Sequence, residues 1–158
     1  MANPNAVTAG RVPDVSKANL EGKDANEFKF KVNGVDRVVV MVQAGLQPIA
    51  KALLRTTPKG IAGFTPIRQV INLGFTTVDK SSITSFSPAF KLRIRYTKDD
   101  LSVAGEAGKL KLAYYIDGKW ILMACTPEPD NPKDAYSEGY LLVTRDTWPV
   151  DPPVALGD

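Results

Sequence analysis

The sequence predicts an all-β protein, an antiparallel sandwich of about seven to eight short strands. Three observations carry that prediction. Apolar and polar residues alternate with period two from Phe90 to Tyr96 and again from Lys109 to Ile116. Turn dipeptides, Asn33-Gly34 after Val32 and Asp117-Gly118 after Ile116, prefer the positive φ that closes tight hairpins. The remaining apolar runs are short and punctuated by Gly, Pro, Asn and Asp.

The elements follow in chain order. Residues 1–26 are rich in Asn, Ala, Gly, Asp and Lys without periodicity; they read as a flexible N-terminal arm. Phe28, Phe30 and Val32 then alternate with Lys29 and Lys31, and Asn33-Gly34 turns the chain into Val35–Val42. The run Val38–Val42 is apolar on both faces, as a central strand would be. The stretch 46–55 stays open between two readings. Leu46, Ile49, Ala50, Leu53 and Leu54 fall at helical spacing, with Pro48 near the start, which gives one short helix. Ala50, Ala52 and Leu54 also alternate, which gives a strand. Phe64-Thr65-Pro66 reads as a loop with one buried aromatic. Val70–Val78 reads as a strand with Gly74 marking a place for a bulge, and Asp79–Ser82 as a turn. Thr97 is placed to cap a short helical turn over Lys98–Leu101. Thr126–Pro132 reads as a rigid proline-rich loop, and Tyr140–Val143 as a last short strand. From Trp148 onward, Pro149, Pro152 and Pro153 suggest an extended tail. The domain plan is an arm over 1–26, a sandwich over 27–146 and a tail over 147–158. Phe90, Tyr114 and Trp120 are expected in the core.

Composition narrows the chemistry. At 158 residues and 44% hydrophobic content, the chain can bury a real core. No apolar run approaches the roughly 18 residues that span a bilayer. The polar start Met1-Ala2-Asn3-Pro4-Asn5 has no apolar core of a secretory signal, so the sequence predicts either a cytoplasmic protein or a piece of a longer one. A net charge of +3 is mildly basic, short of a dedicated nucleic-acid binder. The chain contains no histidine. Ser-His-Asp and Cys-His catalysis and imidazole zinc sites are therefore excluded. The single cysteine, Cys125, cannot form an internal disulfide and reads as a buried apolar thiol at a strand end.

Three surface features are candidates for binding. If the strands around 93 and 111 pair, Lys91, Arg93, Arg95, Lys109 and Lys111 share one face that could hold an anionic glycan, a phosphate or an acidic partner. The plainer reading is that these cations solvate the outer face and protect it from edge pairing. Asp99, Asp100 and Glu106, or Glu128, Asp130 and Asp134, could offer oxygens to Ca²⁺; no EF-hand spacing is present, and solvated loop carboxylates are the simpler account. Tyr115, Tyr136 and Trp148 could form a sugar-stacking surface, against ordinary core or edge packing. Tyr114 and Tyr115 point to opposite faces of their strand, so one of them should be exposed.

Gly63-Phe64-Thr65-Pro66, Ser85–Tyr96, Asp99-Asp100-Leu101 and Leu110–Trp120 together resemble bacterial ZU5-like β-sandwich modules, over about residues 60–123. Such modules carry a "GFTP" segment and a hairpin like the one around Asp117-Gly118. The chain departs from them at Ala44-Gly45-Leu46-Gln47-Pro48 and near Tyr140. The resemblance implies an immunoglobulin-like sandwich without catalytic residues or cofactors, acting as a structural or interaction module of an exported or cell-surface bacterial protein. Two alternatives stand beside it. One is a ligand- or carbohydrate-binding domain using the basic face and Tyr115. The other is a small cytoplasmic protein that self-associates through an exposed strand.

Overall fold

The computed structural model describes residues 19–20, 23–32, 34–43, 48–55, 64–67, 70–77, 79–150 and 152–158. Among them lie eleven strands: β1 (Asn19–Leu20), β2 (Lys23–Val32), β3 (Val35–Gln43), β4 (Ile49–Arg55), β5 (Val70–Thr76), β6 (Ser85–Tyr96), β7 (Lys111–Ile116), β8 (Lys119–Met123), β9 (Thr126–Pro129), β10 (Gly139–Thr147) and β11 (Pro153–Gly157). One short helix, α1 (Lys98–Ala104), and a 3₁₀ turn (Ala107–Lys109) link β6 to β7. The strands form two antiparallel sheets, one in the order β1-β2-β3-β6-β10-β9 and one in the order β4-β5-β11-β7-β8. The all-β sandwich class is as expected.

Alternation decides the two faces of each sheet. In β6, Phe86, Phe90, Leu92, Ile94 and Tyr96 are buried while Lys91, Arg93 and Arg95 between them are only partly covered. Val38 and Val40 of β3 pair with Ile94 and Leu92 and continue the inner row. On the other sheet Leu112 and Tyr114 of β7, with Val154 and Leu156 of β11, face the same core. Aromatic rings tie the two layers together. Phe86 and Phe90 lie 4.5 Å apart between ring centroids, Phe75 and Phe90 4.9 Å, and Trp148 meets Phe90 edge-on at 5.6 Å. Such contacts each add about 0.5–1.5 kcal/mol beyond the area they bury.

Local signals place the turns. Asp117 and Gly118 both have positive φ, 52° and 76°, as a type I′ hairpin turn requires. The β2–β3 hairpin closes at the pair Val32 and Val35, with Gly34 at φ 81°. Thr97 caps α1 as expected, and Asp100 completes a capping box: the Thr97 amide donates to Asp100 Oδ2 at 2.7 Å, and the Asp100 amide donates to Thr97 Oγ1 at 3.4 Å.

Several expectations are corrected. The stretch 46–55 contains no helix in its described residues: β4 pairs with β5 without a break from Ile49–Thr76 to Arg55–Val70. Pairing along β5 satisfies one side of the β4 backbone and Ala50 and Ala52 are buried in the main core, so tertiary contacts outweigh a weak helical spacing. The same unbroken register runs through Gly74, so no bulge lies there; the register shifts are at Phe30/Lys31 and Arg145/Thr147. Among the described residues strand structure is present from Asn19, ahead of the expected boundary at 27, and residues 1–18 of the expected arm lie outside the described residues. Thr126–Pro129 is not a loop but edge strand β9, which among the described residues pairs only with β10. An edge position tolerates Pro127 and Pro129 because the missing N–H can face away from the ladder. The expected tail over 147–158 supplies β11, which lies between β5 and β7. Its proline leads the strand, where a donor is least needed, and Val154 to Leu156 are buried on both faces.

Candidate functional site

The predicted basic stripe is split by the topology. Strand β6 pairs with β3 and β10, whereas β7 pairs with β11 and β8. Lys91, Arg93 and Arg95 therefore line the outer face of the six-stranded sheet. Lys111 and Tyr115 lie on the outer face of the opposite sheet, and Lys109 sits exposed on the 3₁₀ turn. The sequence could not reveal this, because a 14-residue connection over 97–110 carries the chain from one sheet to the other instead of folding back beside β6.

The two arginines of β6 are engaged at home. Arg93 Nε donates to Glu128 Oε1 at 2.7 Å. Arg95 holds Asp130 through two bonds, Nη1 to Oδ1 at 2.9 Å and Nη2 to Oδ2 at 2.5 Å, with Glu138 Oε1 3.7 Å away. The Arg95 guanidinium also lies over the Tyr140 ring, 4.9 Å from its centroid, and Tyr140 donates its hydroxyl hydrogen to the Asp36 carbonyl at 3.0 Å. Arg37 in turn donates to the Arg95 carbonyl. The register explains the grouping: Arg95, Tyr140 and Glu128 are successive partners across β6, β10 and β9. Two of the carboxylates considered as Ca²⁺ ligands, Glu128 and Asp130, are thus taken up by arginines. A third, Asp100, is buried in the capping box of α1.

This network fixes a pH dependence. The Arg95 hydrogen bonds hold the Asp130 carboxyl below its ordinary range, and the same pair pushes the Arg95 guanidinium up. A carboxyl lowered by folding stabilises the native state above its ordinary pKa, and that contribution is lost as pH falls through the lowered value. The Asp130 side chain is 53% exposed, so screening keeps the effect to about 1 kcal/mol or less. We expect Asp130→Asn to cost about that much at neutral pH and to flatten the acid limb of thermal stability. Parallel melting curves of both proteins across the acid range check this, and identical limbs would contradict it.

The aromatic candidates also separate. Trp148 is 2% exposed and donates Nε1–H to the Leu73 carbonyl at 2.9 Å, so it is a core residue. Tyr136 is 70% exposed in the turn before β10, beside Lys98, Leu101 and Ser102 of α1. Tyr115 lies on the outer face of the five-stranded sheet against Trp120, 5.1 Å between centroids. Trp120 is buried, as expected, but in a separate outer cluster with Phe64, Ala113 and Ala155. The 64–67 segment is fastened there by paired backbone bonds between Thr65 and Asp158, at 3.0 and 3.1 Å, and it seats Phe64 5.1 Å from Trp120. Cys125 is half-buried, and burial pushes its thiol pKa up, which disfavours the reactive thiolate.

One feature escaped the sequence reading. Strand β8 ends the five-stranded sheet, and among the described residues it pairs on one side only, with β7. Ile121 and Leu122 in it are 38% and 52% exposed. The alternation Trp120, Ile121, Leu122, Met123 is apolar throughout, a pattern that reads as an interior strand until the topology puts it at an edge. Comparison of the chain with protein-family models, with curated proteins and with solved structures finds no match.

Proposed function

We propose that this chain is a non-catalytic structural or interaction module, a ZU5-like, immunoglobulin-like sandwich belonging to a larger surface or secreted bacterial protein. The observation that supports an interaction role is the β8 edge. A strand at the edge of a sheet that carries apolar side chains is a template for strand addition. Only Lys119 among its five residues is charged, so little opposes pairing. The strand is also self-complementary. Laid antiparallel on a second copy about a two-fold axis, Ile121 meets Ile121, Trp120 meets Leu122, and Lys119 meets Met123. The two lysines then lie at opposite ends, away from each other. Such an isologous contact joins the two five-stranded sheets into one continuous sheet. The occupant of the edge is therefore a second copy of the module.

The test is sedimentation equilibrium of the chain over a wide concentration range, beside the double variant Ile121→Lys, Leu122→Lys. The wild type is expected to associate reversibly into dimers and the variant to remain monomeric with an unchanged circular dichroism spectrum. A wild type that stays monomeric at every concentration would remove the edge as the basis of this reading.

A further inference from the structure

The inner row of β10 runs Gly139, Leu141, Val143 and then Arg145. The first three are buried, and Arg145 pairs across β6 with the fully buried Phe90. Alternation thus directs a guanidinium toward the space between the two sheets, at one end of the core. It arrives at an open groove of about 630 Å³ lined by Thr84, Ser85, Tyr114, Ile116, Thr147 and Trp148 with the Pro149-Val150 link. The groove floor is aromatic: Tyr114 and Trp148 lie 5.7 Å apart between centroids. The guanidinium carbon lies over the Tyr114 ring at 5.2 Å from its centroid. Among the described residues no other partner is found for it, in contrast to Arg93 and Arg95.

We infer that this groove binds a small organic carboxylate with an apolar body. Arginine stays protonated under all ordinary conditions and presents a planar fork matched to a carboxylate. Among the described residues no acceptor is found for its N–H donors, so a ligand can take them. Thr84, Ser85 and Thr147 supply neutral hydroxyls at the rim, with Ser85 and Thr147 directly paired. Ile116, Pro149 and the 68% exposed Val150 offer apolar surface for the rest of the ligand. A groove of this size that is mostly apolar with a few convergent polar groups has the make-up of a small-molecule site. The β6–β10 register slips between Arg145 and Thr147, so the ladder is irregular at the groove wall. A cation or a neutral alcohol would leave the guanidinium without its counter-charge, so the site selects for the anion.

The test is titration of the full chain with decanoate and with naphthoate. Calorimetry follows the wild type, and Trp148 emission follows a Trp120→Phe variant in which Trp148 is the remaining tryptophan. At least one carboxylate is expected to saturate one site and to weaken as salt is added. Decanol and naphthylmethanol are expected to bind about tenfold more weakly or not at all, as is either carboxylate to Arg145→Gln, because a hydrogen bond to a charged group is lost. Arg145→Lys should retain part of the affinity. An unchanged thermal midpoint in Arg145→Gln separates lost binding from lost fold. The inference is overturned if neither carboxylate saturates, if the neutral analogues bind as well, or if Arg145→Gln binds like the wild type.

Discussion

Replacing Trp148 with Ala is expected to cost about 3–5 kcal/mol, the usual loss when a buried aromatic is truncated to a methyl group. The residue is 2% exposed and joins the rings of Phe90 and Tyr114, one from each sheet. Its indole N–H is also the donor for the Leu73 carbonyl in β5. Truncation therefore opens a cavity between the layers, removes two ring contacts and leaves a buried carbonyl unpaired. Against the 5–15 kcal/mol that stabilises a typical domain, roughly a fifth or more of the total is at stake. The measurement is chemical unfolding of wild type and variant, compared at matched slope. Trp148→Phe separates the contributions, since it keeps most of the ring and loses the donor. It is expected to cost about 1–3 kcal/mol, and an equal loss in the two variants would assign the whole effect to the hydrogen bond.

Gly139→Ala is expected to cost about 1–3 kcal/mol or more. Gly139 lies where β6, β10 and β9 run side by side, paired with Tyr96 on one flank and Pro129 on the other. A Cβ there would lie 2.3 Å from the Glu128 carbonyl oxygen, 2.6 Å from Pro129 Cα and 2.8 Å from the Tyr96 hydroxyl. Two of those atoms are backbone, so no rotamer change relieves the contact and β9 must move away from β10. The displacement carries Glu128 and Asp130 with it, and with them the partners of Arg93 and Arg95. Thermal melting of Gly139→Ala beside Gly118→Ala tests the reasoning. Gly118 has open space around its Cβ position and a φ of 76°, so its cost is backbone strain alone, about 1–2 kcal/mol. A Gly139→Ala protein as stable as the wild type would show that the edge strand shifts freely.

Much of the fold was legible in short-range patterns. Phe90 to Tyr96 announces its buried and outer rows, because period-two alternation is a property of the extended backbone itself. Asp117-Gly118 announces its hairpin through the φ values those two residues tolerate. Thr97 announces the start of α1 through the reach of its own hydroxyl. Two misread segments and the one left open share one cause. Ile49–Arg55, Thr126–Pro129 and Pro153–Gly157 are strands because a neighbour distant in sequence supplies a ladder: β5, β10, and β5 with β7. None of the three carries enough local signal to announce that neighbour.

The candidate sites show the same division. The sequence alone determined that this is an antiparallel β protein, that its catalysis, if any, proceeds without histidine, and that Lys91, Arg93 and Arg95 lie on the outer face of their strand. Only the tertiary structure decided which strands stand together. It placed Lys111 and Tyr115 on the opposite sheet from Arg93, turned the β6 arginines toward Glu128 and Asp130, left the apolar strand β8 at an edge, and directed Arg145 into a groove. The physical reason is that alternation is written in the φ and ψ of neighbouring residues. Strand order is instead selected by the summed burial and hydrogen bonding of the whole chain, to which each residue contributes only in the company of others.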